Sequence, residues 1–279
     1  MFYDLPLFFG AGATPIGMEL FFRRYGEGPP LVILHGLFGS GGNWHTLSSK
    51  RFGAHFTTYA VDLPNHGSSP HADSFDYPSM ASEVAGFLRD RDIAPASILG
   101  HSMGGKVAMF LAIEQPDLVD RLIVADMSPR SADAGHEHII RALQSVNLEA
   151  VESRSDADDA LATKIGSKPV RQFLLTNLRR RDDGSYEWQM NLDVIARDYP
   201  NTLAPTPDGT FDGPTLFIRG TESGYIGADD EQAIFGRFPN ATIVDIQGAG
   251  HWVHAERPDE FGDAVLRFAV EPDPTVARR

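Results

Sequence analysis

The run Gly100-His101-Ser102-Met103-Gly104-Gly105 matches GxSxG, follows directly on the apolar run Ser97 to Gly100, and leads at once into a helical pattern. Strand, sharp turn and helix are what a nucleophile elbow needs. The turn forces the serine into a strained conformation, and side chains at positions 100 and 104 would collide with nearby backbone. Ser102 is thereby expected above a sheet edge, with the positive end of the next helix aimed at the same place. The same residues also have the spacing of a phosphate loop, Gly100, four residues, then Gly105-Lys106. Such a loop needs Ser or Thr next to hold magnesium. Val107 stands there, so nucleotide binding is not expected.

An alcohol is too weakly acidic to attack at neutral pH without a base. Of ten histidines, His251 stands out because Gly248-Ala249-Gly250 places it on a flexible loop after the last apolar run. His254 is the nearest competitor and otherwise reads as a surface or lid-contacting residue. His101 and His35 are expected to pack and hydrogen-bond within their own turns. His136 and His138 are expected on a solvated lid helix rather than at a metal. The base needs a carboxylate to hold its tautomer and stabilise the imidazolium. Asp126 ends the strand Arg121 to Ala125, which puts it at the same carboxyl edge as Ser102. Glu222, in the turn after the following strand, and Asp193, inside the lid, are the alternatives. An oxyanion would be met by two backbone amides, of Met103 at the start of the elbow helix and of Leu37 just after His35-Gly36.

The elements that must position these groups are read from periodicity. Met18 to Arg24 and Leu31 to His35 are two early strands. Thr57 to Asp62, Ser97 to Gly100, Arg121 to Asp126, Thr215 to Arg219 and Ala241 to Ile246 are further runs with the look of buried parallel strands. Ser79 to Asp90 keeps Met80, Val84, Phe87 and Leu88 on one helical face, and Gly105 to Glu114 carries Val107, Phe110 and Leu111. Strand and helix in alternation predict a doubly wound, mostly parallel α/β sheet. The alternation breaks between Ser131 and Asp212, where His138 to Val146, Val170 to Arg180 and Trp188 to Asp198 read as helices with no convincing central strand. The chain is therefore divided into a core of residues 1–130 and 213–279 and a helical lid of residues 131–212 inserted into it. Phe38, Trp188 and Trp252 are expected to line a pocket for an acyl chain or ring, or else to pack lid against core.

Composition sets the outer limits. A chain of 279 residues with 42% apolar and 10% aromatic content can fill a sizeable core. It has no cysteine, which removes disulfides, thiolate metal sites and cysteine nucleophiles. Its 24 basic and 38 acidic residues give a net charge of −14, which repels nucleic acid and anionic lipid. Only four of the basic residues are lysine. Leu5 to Met18 is uncharged, but prolines and glycines break it and it is too short to span a bilayer. Asp4 precedes the first basic residue, Arg23, unlike a secretory signal. A cytoplasmic protein without cofactor or metal, monomeric or homodimeric, is expected.

His35-Gly36-Leu37-Phe38-Gly39-Ser40 with Asn43-Trp44, then Asp62-Leu63-Pro64-Asn65-His66-Gly67-Ser68, the Ser102 elbow, Asp126-Met127-Ser128-Pro129 and Gly250-His251-Trp252-Val253-His254-Ala255-Glu256 together resemble the α/β-hydrolase superfamily. In detail they are similar to the YbfF-type small bacterial esterases. The blocks run in order from about Leu31 to Phe268. The resemblance implies an esterase, or a thioesterase, of short to medium acyl chains, with Ser102 as nucleophile, His251 as base and Asp126 as acid, in the chain order that this fold uses. Many relatives carry an aspartate where this chain has Ser223. Dehalogenases and epoxide hydrolases of the superfamily have Asp in place of Ser102 and are disfavoured. Lactonase, carbon-carbon hydrolase and perhydrolase chemistry use the same triad, and a hydrolase-fold receptor without turnover is a further alternative. The resemblance is weakest in the lid, which sets substrate preference.

Overall fold

Runs such as Leu31-Val32-Ile33-Leu34 are apolar on both sides of the pleat, the mark of strands covered on two faces. In the computed structural model, which describes residues 17–270, they form the centre of a seven-stranded sheet. Most of the Leu5 to Met18 segment lies outside the described residues. In chain order the first half comprises β1 (Phe22–Tyr25), β2 (Pro30–Leu34), α1 (His45–Lys50), β3 (Thr57–Val61), α2 (Tyr77–Asp90), β4 (Ala96–His101), α3 (Met103–Glu114) and β5 (Val119–Ala125). The chain then leaves the sheet through α4 (Glu137–Gln144), α5 (Arg154–Ala162), α6 (Lys168–Leu174), a hairpin of β6 (Leu178–Arg180) and β7 (Tyr186–Trp188), and α7 (Leu192–Asp198). It returns as β8 (Thr215–Gly220), α8 (Ala228–Arg237), β9 (Ala241–Ile246), α9 (Val253–Glu256) and α10 (Pro258–Val270).

The strand order is β1-β3-β2-β4-β5-β8-β9. Only β1 runs antiparallel, against β3; the other neighbouring pairs are parallel. This is the doubly wound, mostly parallel α/β fold that the alternation predicts. Alternate side chains of each central strand enter opposite cores. Val32 and Leu34, Leu122 and Val124, and Phe217 pack with α2 and α3 on one face. Leu31 and Ile33, Ile123 and Ala125, and Leu216 and Ile218 meet α1 and α10 on the other. The face of α2 carrying Met80, Val84, Phe87 and Leu88 is buried as its spacing predicts, and Asp76 caps the helix by accepting from Ser79 N at 2.8 Å.

Three expectations change. The first strand is shorter, Phe22–Tyr25, and Ala241–Ile246, at the opposite edge of the sheet, is half-buried rather than a buried strand. The stretch Val170 to Arg180 is not one helix: α6 ends at Leu174 and the chain turns into β6. Trp188 belongs to β7, and the helix expected to start there begins only at Leu192.

The off-sheet segment is tied down over the carboxyl edge of the sheet. Asn177, buried, donates to Phe38 O at 2.8 Å. Asn191 bonds Asn65 through its backbone at 2.9 Å and its side chain at 3.0 Å. Tyr77 donates from α2 to Thr202 O at 2.7 Å.

Candidate active site

The turn after β4 holds Ser102 at φ 53° and ψ −117°, a region that L-residues avoid and that costs roughly 1–3 kcal/mol. The neighbours enforce it. A Cβ at Gly100 would stand 2.2 Å from Gly104 O, and one at Gly104 would stand 2.4 Å from Leu34 O. Only glycine lets the elbow close this tightly on β2. Ser102 N donates to Ala125 O at 3.0 Å, which fixes the turn against β5, and α3 starts at the next residue.

β5 delivers a buried carboxylate. Asp126 follows its last residue, also at positive φ (51°), and is fully buried. Its amide donates to Ile218 O at 2.8 Å, while Oδ1 accepts from Gly220 N at 3.2 Å. Oδ2 accepts from the Ser223 hydroxyl and from His251 Nδ1, the latter at 2.7 Å. His251 Nε2 lies 2.9 Å from Ser102 Oγ. The three residues thus form one continuous hydrogen-bonded chain across 149 sequence positions between serine and histidine. Glu222 is exposed and its amide caps Ala249 O, and Asp193 is exposed on α7; neither reaches His251.

The loop that carries the imidazole is pinned on both sides. Glu256 accepts from Gly250 N at 2.7 Å and from Trp252 N at 3.2 Å, bracketing His251. Thr221 Oγ1 accepts from Gly248 N at 2.9 Å. The Tyr225 ring stacks on the imidazole with 3.7 Å between centroids. His101 does not bond within its own turn; its Nε2 reaches His251 O at 2.8 Å. Burial holds the His101 imidazole well below its ordinary pKa, and His254 and His251 push it the same way, so it is neutral and donates from Nε2. His254 is half-buried at the floor of the site rather than free at the surface. It stacks on Trp44 at 4.3 Å and meets His101 at 4.5 Å, and burial holds it down to about 3. Sequence reasoning gave no role to Ser223, Glu256 or Tyr225, although Glu256 falls five residues after His251 at the end of a short helix, where it can reach back to the loop amides.

The turn after β2 faces Ser102. Asp62 accepts from Gly41 N at 2.6 Å and Ser68 N at 2.8 Å, and Leu63 N donates to His35 Nε2 at 3.0 Å. The His35 Nδ1 pairs with Gly36 O at 2.9 Å, within its turn. Phe38, at φ 62°, donates its amide to His66 Nε2, and Gly39 N donates to Gly36 O. The Leu37 amide precedes these two, and Leu37 borders the space next to Ser102.

Two cavities meet at Ser102. The larger, about 340 Å³, is bounded by Phe38, Ile139, Val170, Phe173 and Trp252 among others and also by His251. The smaller, about 40 Å³, is bounded by Met103, Met127, Tyr77, Thr202 and Tyr225. Phe38 and Trp252 therefore face the larger cavity, where Trp252 pairs with Phe173 at 5.6 Å. Trp188 does not; it packs from β7 against the main core. His136 is not a solvated residue: it borders both cavities, bonds Tyr199 OH at 3.2 Å and is lowered by burial and by His251. His138 is exposed. Lys106 is buried in α3 and its Nζ donates to Arg130 O, so the side chain is engaged by backbone. Among the described residues no three His, Cys, Asp or Glu side chains are grouped to hold a metal, and no helix is long and apolar enough to cross a membrane.

This fold and this edge constellation define a class. Residues 31–264 match the Alpha/beta hydrolase family, and the chain belongs to it. It is 40% identical over 256 residues to the sn-1-specific diacylglycerol lipase ABHD11 of Xenopus laevis, covering 86% of this chain and 80% of that one. To the esterase YbfF of Escherichia coli K12 it is 35% identical over 240 residues, covering 86% and 92%. Among solved structures it is similar to a marine microorganism esterase, with a TM-score of 0.88, 40% identity and coverage of 90% and 100%. By this kinship the protein is a hydrolase of the esterase and lipase type.

Proposed function

We propose that the protein hydrolyses carboxylic esters through an acyl-enzyme on Ser102. His251 Nε2 takes the Ser102 proton as Oγ attacks the ester carbonyl, and Asp126 keeps the Nδ1–H tautomer and stabilises the imidazolium. The developing oxyanion is met by the backbone N–H groups of Leu37 and Met103, the second at the positive end of α3. Collapse expels the alkoxide with the proton from His251. Water, deprotonated by the same imidazole, then releases the carboxylic acid and restores the Ser102 hydroxyl. No cofactor enters this sequence. Residues 131–212 act as the lid, closing the larger cavity with α4 and α6. Esters of short to medium acyl chains are the substrate class, with thioesters as the chemical neighbour.

The observation that carries this reading is the unbroken Ser102–His251–Asp126 chain at 2.9 and 2.7 Å. A receptor would need none of its strain. Its test is hydrolysis of p-nitrophenyl acetate by wild type and by Ser102→Ala of equal folded content. Loss of turnover by ~10³-fold or more supports it, and substantial residual turnover contradicts it.

A further inference from the structure

We infer that the two cavities sort the two halves of the ester: the small one receives the acyl group, limited to about acetyl or propionyl, and the large one an apolar alcohol. This rests on the ester-hydrolase reading above, adds a direction to it and narrows its acyl range to the short end.

Ser102 and Leu37 border both cavities, so the carbonyl under attack sits where they join. From that carbon one arm leads to the acyl substituent and the other to the leaving oxygen. The leaving oxygen must take its proton from His251 Nε2, because expulsion of an unprotonated alkoxide is far slower. His251 borders the larger cavity and not the smaller one. The alcohol is therefore directed into the larger space, between α4 and α6, where Ile139, Val170, Phe173 and Trp252 offer an apolar surface. The acyl substituent has only the smaller space left.

That space does not expand easily. Its walls are cross-tied: Tyr77 donates to Thr202 O at 2.7 Å and packs on Phe110 at 5.4 Å. The Tyr199 hydroxyl accepts from Gly135 N at 3.3 Å and His136 N at 3.1 Å. A water-sized group needs roughly 10–15 Å³ of such space, so about 40 Å³ admits about three or four heavy atoms, an acetyl or propionyl group in full, and excludes a hexanoyl tail. The expected substrates are acetates and propionates of long or ring-bearing apolar alcohols; each turnover consumes water and yields a short carboxylic acid and the free alcohol.

The isomers n-hexyl acetate and ethyl hexanoate separate direction from size and hydrophobicity, since only the side of the carbonyl that carries the chain differs. The wild-type enzyme should prefer n-hexyl acetate in kcat/KM by about tenfold or more. Leu203 also borders the small cavity, and Leu203→Ala, which enlarges it, should shrink that ratio by raising turnover of ethyl hexanoate. Val170→Trp, which fills the large one, should lower the ratio of n-hexyl acetate to ethyl acetate. Equal rates, preference for ethyl hexanoate, or turnover of p-nitrophenyl acetate but of neither isomer overturns the assignment. Hydrolysis of none of the four esters removes the hydrolase reading itself.

Discussion

The hydroxyl of Ser223 and the imidazole of His251 share one oxygen of Asp126, Oδ2. The carboxylate comes from the end of β5, and Ser223, in the turn after β8, serves as its hydrogen-bond donor. The shared oxygen fixes the carboxylate toward His251, and Gly220 N holds the other oxygen.

Ser223→Ala should therefore lower kcat by about tenfold with little change in KM, because the carboxylate loses a positioning bond but keeps its charge. Asp126→Asn should cost about 10³- to 10⁴-fold. Adding Ser223→Asp to Asp126→Asn should recover part of that loss, since position 223 already lies within hydrogen-bond reach of the same oxygen. Steady-state kinetics on p-nitrophenyl acetate decide it; no recovery by the double variant would show that position 223 cannot present a carboxylate to His251.

Glu222 provides the matching control. It is exposed and only its backbone amide is engaged, by Ala249 O, so Glu222→Gln should stay within about twofold of wild type. A severe loss in this variant with near-normal activity in Asp126→Asn would move the acid to the β8 turn.

Glu256 clamps the amides on both sides of His251. Glu256→Ala should reduce kcat by about 10- to 100-fold through misplacement of the base, whereas Glu256→Gln, which keeps one accepting oxygen, should lose less. Thermal melts of both variants separate loop positioning from general destabilisation, which would lower Tm and leave the activity per folded molecule unchanged.

Acid stability should depend on His35. Burial lowers its folded-state pKa from 6.5 to about 4. The unfolded chain then binds more protons between those values, so the stabilisation is complete above pH 6.5 and is lost as pH falls toward 4. The loss amounts to about 3 kcal/mol at pH 4. His66, lowered to about 3 by burial and by His35, acts in the same direction and lower in the range. Denaturant unfolding of wild type and His35→Gln at pH 7.5 and 4.5 measures it: the variant should be less stable at the higher pH yet lose less on acidification, and parallel losses would refute the link.

The sheet was legible because its central strands are uninterrupted aliphatic runs ended by Gly, Ser or Asp, and the bounds of Ala241–Ile246 agree residue for residue. The elbow was legible because two glycines must flank a serine there for steric reasons that Gly100 and Gly104 display. The off-sheet segment was not. In α5 only Ala157 and Leu161 are buried, so no apolar stripe marks Arg154–Ala162, although the Ser153–Asp156 capping box was a usable signal. The hairpin strands are three residues each, too short for alternation to register, and Asp183-Gly184, with Gly184 at φ 90°, was their only local mark. His101 and His254 were misjudged because their partners, His251 O and Trp44, are supplied by distant chain segments that no local pattern foretells.

The central claim is an activated serine, and covalent trapping reads it directly. A fluorophosphonate probe followed by intact-mass measurement and peptide mapping should show one label per chain, on Ser102, with labelling slowed about 100-fold or more in His251→Ala. Folded wild-type protein that takes up no label, or takes it up on another residue, would contradict the account.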